Sequence, residues 1–217
     1  RGVPVLRIGN PSRVNDKMLS FTYERRFEGH PAYAELWGIR KSIREMGNRM
    51  RKSSYSEREA ARSRINHLRE RATELEIQIN EDLFSGARVI ASTLVSSNHR
   101  ILTGRRFTTL FIDEAAQALE AACWIAIRKA DRVIFAGDHC QLPPTIKCIE
   151  AARNGLEQTL MEKVAANKQE TVSLLKVQYR MHQSIMQFSS EWFYQGELQA
   201  APEVTNRGIL DLDLPMS

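Results

Sequence analysis

Long apolar runs are missing from this chain. None reaches the ~18 residues a membrane-spanning helix needs, so no membrane partner is expected. Cysteine is scarce: Cys123, Cys140 and Cys148 contain no C-x-x-C pair, which argues against a disulfide framework and against a zinc site. Free thiols fit a reducing compartment, so a cytoplasmic location is expected. The eleven glycines are scattered, and none opens a G-x-x-x-x-G-K-[ST] phosphate loop. No signal peptide is visible and the first residue is Arg1, so the chain is expected to be a piece of a longer protein. What is present suffices for folding. The 217 residues are 42% hydrophobic, enough for one large domain or one domain plus part of a second. A net charge of +5 permits contact with a polyanion without requiring it.

Five short stretches rich in Val, Ile, Leu and Phe read as strands buried on both faces: residues 4–8, 88–91, 109–112, 132–135 and 172–177. Helical stretches at 117–128, 155–167 and 183–194 fall between or after them. Strand and helix in alternation predict an α/β domain with a parallel sheet and right-handed crossovers.

Residues 33–84 break that rhythm. Leu36, Ile39, Ile43, Met46 and Met50 are spaced 3, 4, 3, 4, and Ala61, Ile65, Leu68, Ala72, Leu75 and Ile79 continue a second seam of the same kind. Ser53-Ser54-Tyr55-Ser56 separates them, and Ser56 with Glu59 has the spacing of a capping box. The pattern predicts an inserted antiparallel helical hairpin with arms of roughly 18 and 28 residues, about 27 and 42 Å long. From Arg40 to Arg71 there are eleven Lys/Arg and four Glu, a net of +7, which leaves −2 for the rest of the chain. That excess suits either a solvated coiled-coil face or a surface for nucleic-acid phosphates. Tyr33, Trp37 and Tyr55 are its only aromatics before Phe84 at its very end, too few to indicate base stacking.

Residues 109–122 read TLFIDEAAQALEAA, with Asp113 and Glu114 side by side after an apolar strand. The carboxyl end of a parallel strand is where such sheets bind ligands. One carboxylate can hold Mg²⁺ through its water shell while its neighbour takes a proton from an attacking water, the Walker B arrangement of a nucleoside triphosphatase. Ordinary capping competes: Asp113 could cap a helix through Gln117, with Glu114 placed against the helix dipole. Two later stretches bear on the choice. FAGDHCQLPPT (135–145) offers Gln141 before the rigid Pro143-Pro144, a loop able to hold an amide where it senses a phosphate, or a plain strand-to-helix turn. VQYRMH (177–182) sets Tyr179, a flat face for a base, beside Arg180, a forked donor for phosphate, or a buried Tyr beside a surface Arg. The motor reading requires both carboxylates to be free of interior packing, with a cleft beside Gln141.

DEAAQ, GDHCQLPP and QYRMH together resemble motifs II, III and IV of superfamily 1 helicases, in the branch of the nonsense-mediated-decay and immunoglobulin Mu-binding helicases. RIGNPSR (7–13) is similar to that branch's Ib region and VIASTLVSS (89–97) to its Ic region. The resemblance spans nearly the whole chain. It implies a RecA-like P-loop NTPase core acting with ATP and Mg²⁺ on single-stranded DNA or RNA. Asp113 would ligate Mg²⁺ through water, Glu114 would activate the hydrolytic water, and Gln141 would contact the γ-phosphate. Arg180 would act as an arginine finger and Tyr179 would stack near the adenine. Thr93, Ser12 and Arg13 would touch the nucleic-acid backbone. Gln117 fits the motif and would help shape the site, while His182 takes no chemical role. With no phosphate loop in the chain, the expected layout is the later part of a first motor domain (1–169, with the insertion at 33–84) and the start of a second (170–217). A weak stretch at 211–215 reads as a linker or an edge. The competing class is a non-catalytic nucleic-acid or protein-binding module built on the basic hairpin.

Overall fold

A computed structural model describes residues 2–50 and 55–208, apart from the side chains of Arg13 and Ser56. The stretch at 211–215 therefore lies outside the described residues. The chain divides into two compact units, Arg1–Leu110 with Ala122–Arg132, and Phe111–Ala121 with Val133–Ser217.

In the first unit, β1 (Val5–Ile8) pairs in parallel with β2 (Val89–Ser92), Leu6 opposite Ile90 and Ile8 opposite Ser92. Leu6 and Ile8 are buried, as alternation along a strand with one packed face requires. Helices α1 (Asp16–Leu19), α2 (Tyr23–Glu28), α3 (Tyr33–Met50) and α4 (Tyr55–Ser85) lie between the two strands in sequence. The first two of these are four and six residues long, too short for a 3.6-residue period to announce them.

Helices α3 and α4 pack on one another through Leu36, Ala72, Leu75 and Ile79, with Phe27, Tyr33, Ile39 and Leu83 around that cluster. The residues of both seams are buried or half-buried throughout, so the heptad spacing correctly identified the packed stripes. α4 begins at Tyr55, which places Ser56 inside the first turn and not at the cap; residues 51–54 and the Ser56 side chain lie outside the described residues. Charge pairs flank the seam: Arg71 to Glu35 at 2.9 Å and Arg40 to Glu76 at 2.5 Å. These groups are half-exposed, so each pair adds at most about 1 kcal/mol.

β3 (Phe107–Ile112) and β4 (Ala130–Phe135) form a second pair. The Phe107 amide donates to Lys129 O at 2.8 Å and the Ala136 amide to Ile112 O at 2.8 Å, so the strands run parallel. α5 (Glu120–Ile127) is the crossover, with Cys123 and Ala126 buried.

The second unit carries α6 (Ile149–Ala151), a π-turn over Ala152–Leu156, and α7 (Leu160–Asn167). The helix expected from residue 155 starts later because Gly155 sits at φ +93. Thr159 and Glu162 form the reciprocal capping box that opens α7. β5 (Val177–Gln178) pairs in parallel with β6 (Gln199–Ala200), flanking α8 (Gln183–Phe193), and α9 (Pro202–Thr205) follows.

Two expectations need correction. The strand expected at 172–177 is reduced to its final residue. Val172, Leu174 and Leu175 are 53%, 43% and 87% exposed, and without a paired neighbour an apolar run gains nothing from extending. The single sheet buried on both faces is instead three two-stranded parallel pairs among the described residues. Phe111 is 69% exposed, so its strand is covered on one side only.

The α3–α4 seam yields a stability test. Leu75→Ala should lower unfolding stability by about 2–5 kcal/mol in urea titrations, whereas Ile77→Ala, on the exposed side of α4, should change it by less than about 0.5 kcal/mol. Equal effects would mean that the seam is not the packed face.

Candidate functional site

At the end of β3 the chain turns sharply. Glu114 adopts the left-handed conformation, φ 51 and ψ 40, which costs a non-glycine residue on the order of 1–2 kcal/mol. Neighbouring hydrogen bonds offset that cost. The Glu114 amide donates to Asp113 Oδ1 at 3.1 Å. The Gln117 amide donates to Glu114 O at 2.9 Å, and the Ala115 amide to Ala136 O at 2.9 Å. Ala115 and Ala116 are buried while Asp113 and Glu114 are exposed. The short 3₁₀ turn Ala115–Gln117 has no side-chain cap and α5 starts only at Glu120, so the carboxylates do not act as helix caps. Among the described residues neither forms an ion pair.

The turn after β4 lies against this one. A Cβ on Gly137 would come within 2.9 Å of both the Ala115 and Ala116 nitrogens and 3.0 Å of Met161 Sδ, so only glycine fits. Asp138 then organises the loop. Its Oδ1 accepts from the Cys140 amide at 3.0 Å, and its Oδ2 accepts from Gln141 Nε2 at 2.8 Å and from the Tyr194 hydroxyl. Burial alone would raise the Asp138 pKa. The hydrogen bonds from Tyr194, Gln141 and Cys140, with the nearby His139, outweigh it and hold the carboxyl below its ordinary range. The same contacts act on the partner: burial, then the bond to Asp138, push the Tyr194 hydroxyl well above the usual tyrosine value. Gln117, Cys140, Gln141, Leu142 and Pro143 line an open cleft of about 390 Å³. Asp138, His139 and Cys140 also bring metal-ligand atoms within 4.8 Å of one another, but both Asp138 oxygens are already occupied by these donors.

The QYRMH turn is held by Gln178. Its Oε1 accepts from the Arg180 and Met181 amides at 2.8 and 2.9 Å, and its Nε2 donates to Met181 O at 2.8 Å. Tyr179 and Arg180 are exposed, and among the described residues no hydrogen bond or ion pair joins either side chain to Asp113, Glu114 or Gln141. His182 has a structural task that residue type alone did not suggest: its Nδ1 accepts from the Ser184 amide at 3.0 Å and caps α8.

Thr93, Ser12 and Arg13 belong to the first unit. The register of β1 with β2 places the loops that follow both strands side by side. Thr93 Oγ1 donates to Ser96 Oγ at 2.9 Å and accepts from the Ser96 amide at 3.1 Å. Gly9, at φ 145, leaves 3.5 Å between its missing Cβ and Ser96 Oγ. The Ser12 hydroxyl donates to Asn10 Oδ1 at 2.7 Å and is exposed. Arg13 ends a 3₁₀ turn, Pro11–Arg13, and its side chain lies outside the described residues. Thr93 and Ser12 thus sit on adjacent exposed turns, with their hydroxyl protons engaged within those turns by Ser96 and Asn10.

Residues 1–148 and 156–214 each match a family described as an AAA domain. The chain is 34% identical over 214 residues to the DNA-binding protein SMUBP-2 of Rattus norvegicus, an alignment covering 96% of this chain and 22% of that protein. It is 31% identical over 214 residues to the DNA polymerase alpha-associated DNA helicase A of Schizosaccharomyces pombe, covering 98% of this chain and 32% of the relative. It is 39% identical over 146 residues to the regulator of nonsense transcripts 1 homolog of Arabidopsis thaliana, covering 67% of this chain and 11% of the relative. The chain therefore spans about a third or less of the length of these curated relatives.

The Asp138 contacts predict a pH signature. The unfolded carboxyl titrates near ~3.9 and the folded one lower. Its contribution to stability is therefore complete above about pH 4 and is lost as pH falls through the folded pKa. Urea unfolding of the wild type and Asp138→Asn should show a stability gap at pH 6 that closes toward pH 3. A gap that stays constant would mean the carboxylate is not stabilised by its donors.

Proposed function

This chain belongs to the superfamily 1 helicases, in the branch of the nonsense-mediated-decay and immunoglobulin Mu-binding helicases, and from that premise we infer that it is part of an ATP-driven motor moving on single-stranded DNA or RNA. One observation carries the reading. The exposed carboxylate pair and the Gln141 loop occupy neighbouring turns at the carboxyl ends of two parallel strands, tied by the bonds through Ala136. Open α/β sheets bind nucleotides at that edge.

Roles follow from chemistry. Asp113 offers a hard, exposed carboxylate free of any ion pair among the described residues, the donor type that Mg²⁺ prefers. The metal, when bound, offsets the charge on the phosphates. Glu114 takes the proton of the attacking water, and the Gln141 amide donates to the γ-phosphate. Arg180 supplies the charge-stabilising finger and Tyr179 a face for the adenine. Thr93, Ser12 and Arg13 hold the nucleic-acid backbone. Residues 1–169 belong to a first motor domain and 170–217 begin a second. The α3–α4 pair forms an antiparallel hairpin inserted in the first. Three thiols suit a reducing, cytoplasmic setting, and no helix among the described residues is long and apolar enough to cross a membrane.

The hairpin's basic surface supports a weaker second reading, a binding module without turnover. Arg40 and Arg71, at the ends of the basic stretch, are paired with Glu76 and Glu35 outside it. That pairing reduces the excess charge available to phosphates, and the carboxylate turn has no use in such a module.

Glu114→Gln in a longer version carrying a phosphate loop should reduce ATP turnover by about 10²–10⁴-fold while leaving nucleotide affinity nearly unchanged. Hydrolysis at the parent rate would remove Glu114 from the chemistry. The 217-residue chain by itself should hydrolyse little or no ATP.

A further inference from the structure

α8 fastens at its far end to the loop that carries Gln141. The Tyr194 hydroxyl, at the C-cap of α8, donates to Asp138 Oδ2 across 56 positions of sequence. The Cys140 thiol lies 3.8 Å from Phe193 O, a second contact at the same place. Gln141 Nε2 donates to that same Oδ2 at 2.8 Å. At its other end α8 is capped by His182, directly after the turn that displays Arg180. Eleven helical residues separate these ends, about 16 Å.

We propose that Asp138 is a positioning residue for Gln141 and that Tyr194 sets its position, so that α8 links the Arg180 turn to the orientation of the Gln141 amide. The proposal rests on the reading of Gln141 as the γ-phosphate contact. A glutamine amide has two N–H donors and one acceptor oxygen, and its two orientations are otherwise nearly equivalent. A carboxylate is acceptor-only, so it binds the NH₂ side and rejects the flipped form. One N–H of Gln141 is then committed to Asp138 while the other is left to donate to an anionic oxygen. The carboxylate must itself be fixed. The Cys140 amide holds Oδ1, and Tyr194 holds Oδ2 through a charge-assisted O–H···O⁻ bond, the stronger kind. If α8 shifts, the Tyr194 bond lengthens, Oδ2 is released, and the Gln141 amide loses its anchor. The raised Tyr194 and lowered Asp138 pKa values agree with one proton held on the hydroxyl and a charged acceptor. The relay gives the Arg180 turn a route to the nucleotide loop besides direct contact with phosphate.

Two readouts test it, one independent of any activity. In ¹H–¹⁵N spectra of the 217-residue chain, Tyr194→Phe and Asp138→Asn should each move the Gln141 side-chain NH₂ resonances, whereas Tyr55→Phe, on an exposed tyrosine of α4, should not. Unmoved Gln141 resonances in both variants overturn the relay. In a longer, turnover-competent version, Tyr194→Phe should lower kcat about 5- to 20-fold, the effect expected for one charge-assisted bond, with KM for ATP changed less than about twofold. An unchanged kcat overturns the positioning role even if the resonances move. Gln141→Ala separates this from the parent reading: if that variant keeps full turnover, the γ-phosphate assignment fails while the spectra still judge the relay.

Discussion

Two backbone hydrogen bonds and one absent Cβ hold the candidate site together. The Ala136 amide reaches Ile112 O and its carbonyl receives the Ala115 amide, so the turn after β3 is stitched to the end of β4. Gly137 lets the backbones close: any side chain would meet two amide nitrogens at 2.9 Å. The left-handed Glu114 is tolerated because these contacts over-determine the turn. Strain of this kind clusters at functional sites, and here it exposes two adjacent carboxylates where a relaxed strand end would run directly into helix.

The second consequence concerns Asp138, which the motif carries without an evident chemical task. Every donor near it is committed: an amide from its own loop, the Gln141 side chain, and a tyrosine from a distant helix. A carboxylate satisfied this completely serves as a fixed point. Asp113 and Glu114 contrast with it, since they are exposed and form no ion pair among the described residues. One acid organises the loop, and two are available to a ligand.

Much of this was legible in the amino-acid string, and the failures have physical causes. The heptad spacing of Leu36, Ile65, Leu75 and Ile79 located the packed stripe of α3 and α4, because burial demands one helical face. Four of the five strands appeared near their expected places, because Val- and Ile-rich runs favour pleated backbone. The run at 172–177 failed because composition cannot supply a pairing partner, and only Val177 finds one, in Gln199. Sheet order was beyond reach for the same reason. The carboxylate pair and the Gln141 loop were visible as motifs. The Tyr194–Asp138 bond was not, since nothing in either residue's neighbourhood announces a contact 56 positions away. His182 at the head of α8 was equally hidden, because histidine is an uncommon cap.

The central claim is that the two strand-end turns must touch for the carboxylates and Gln141 to act on one nucleotide. The most direct measurement is ATP turnover by a longer, active version carrying Gly137→Ala, compared with Gly38→Ala, where a new methyl meets no atom within 4 Å. A displacement approaching an ångström at a reacting centre costs about 10²-fold. The account predicts a loss of that order for Gly137→Ala and parent-level turnover for Gly38→Ala. Full activity in Gly137→Ala would contradict it.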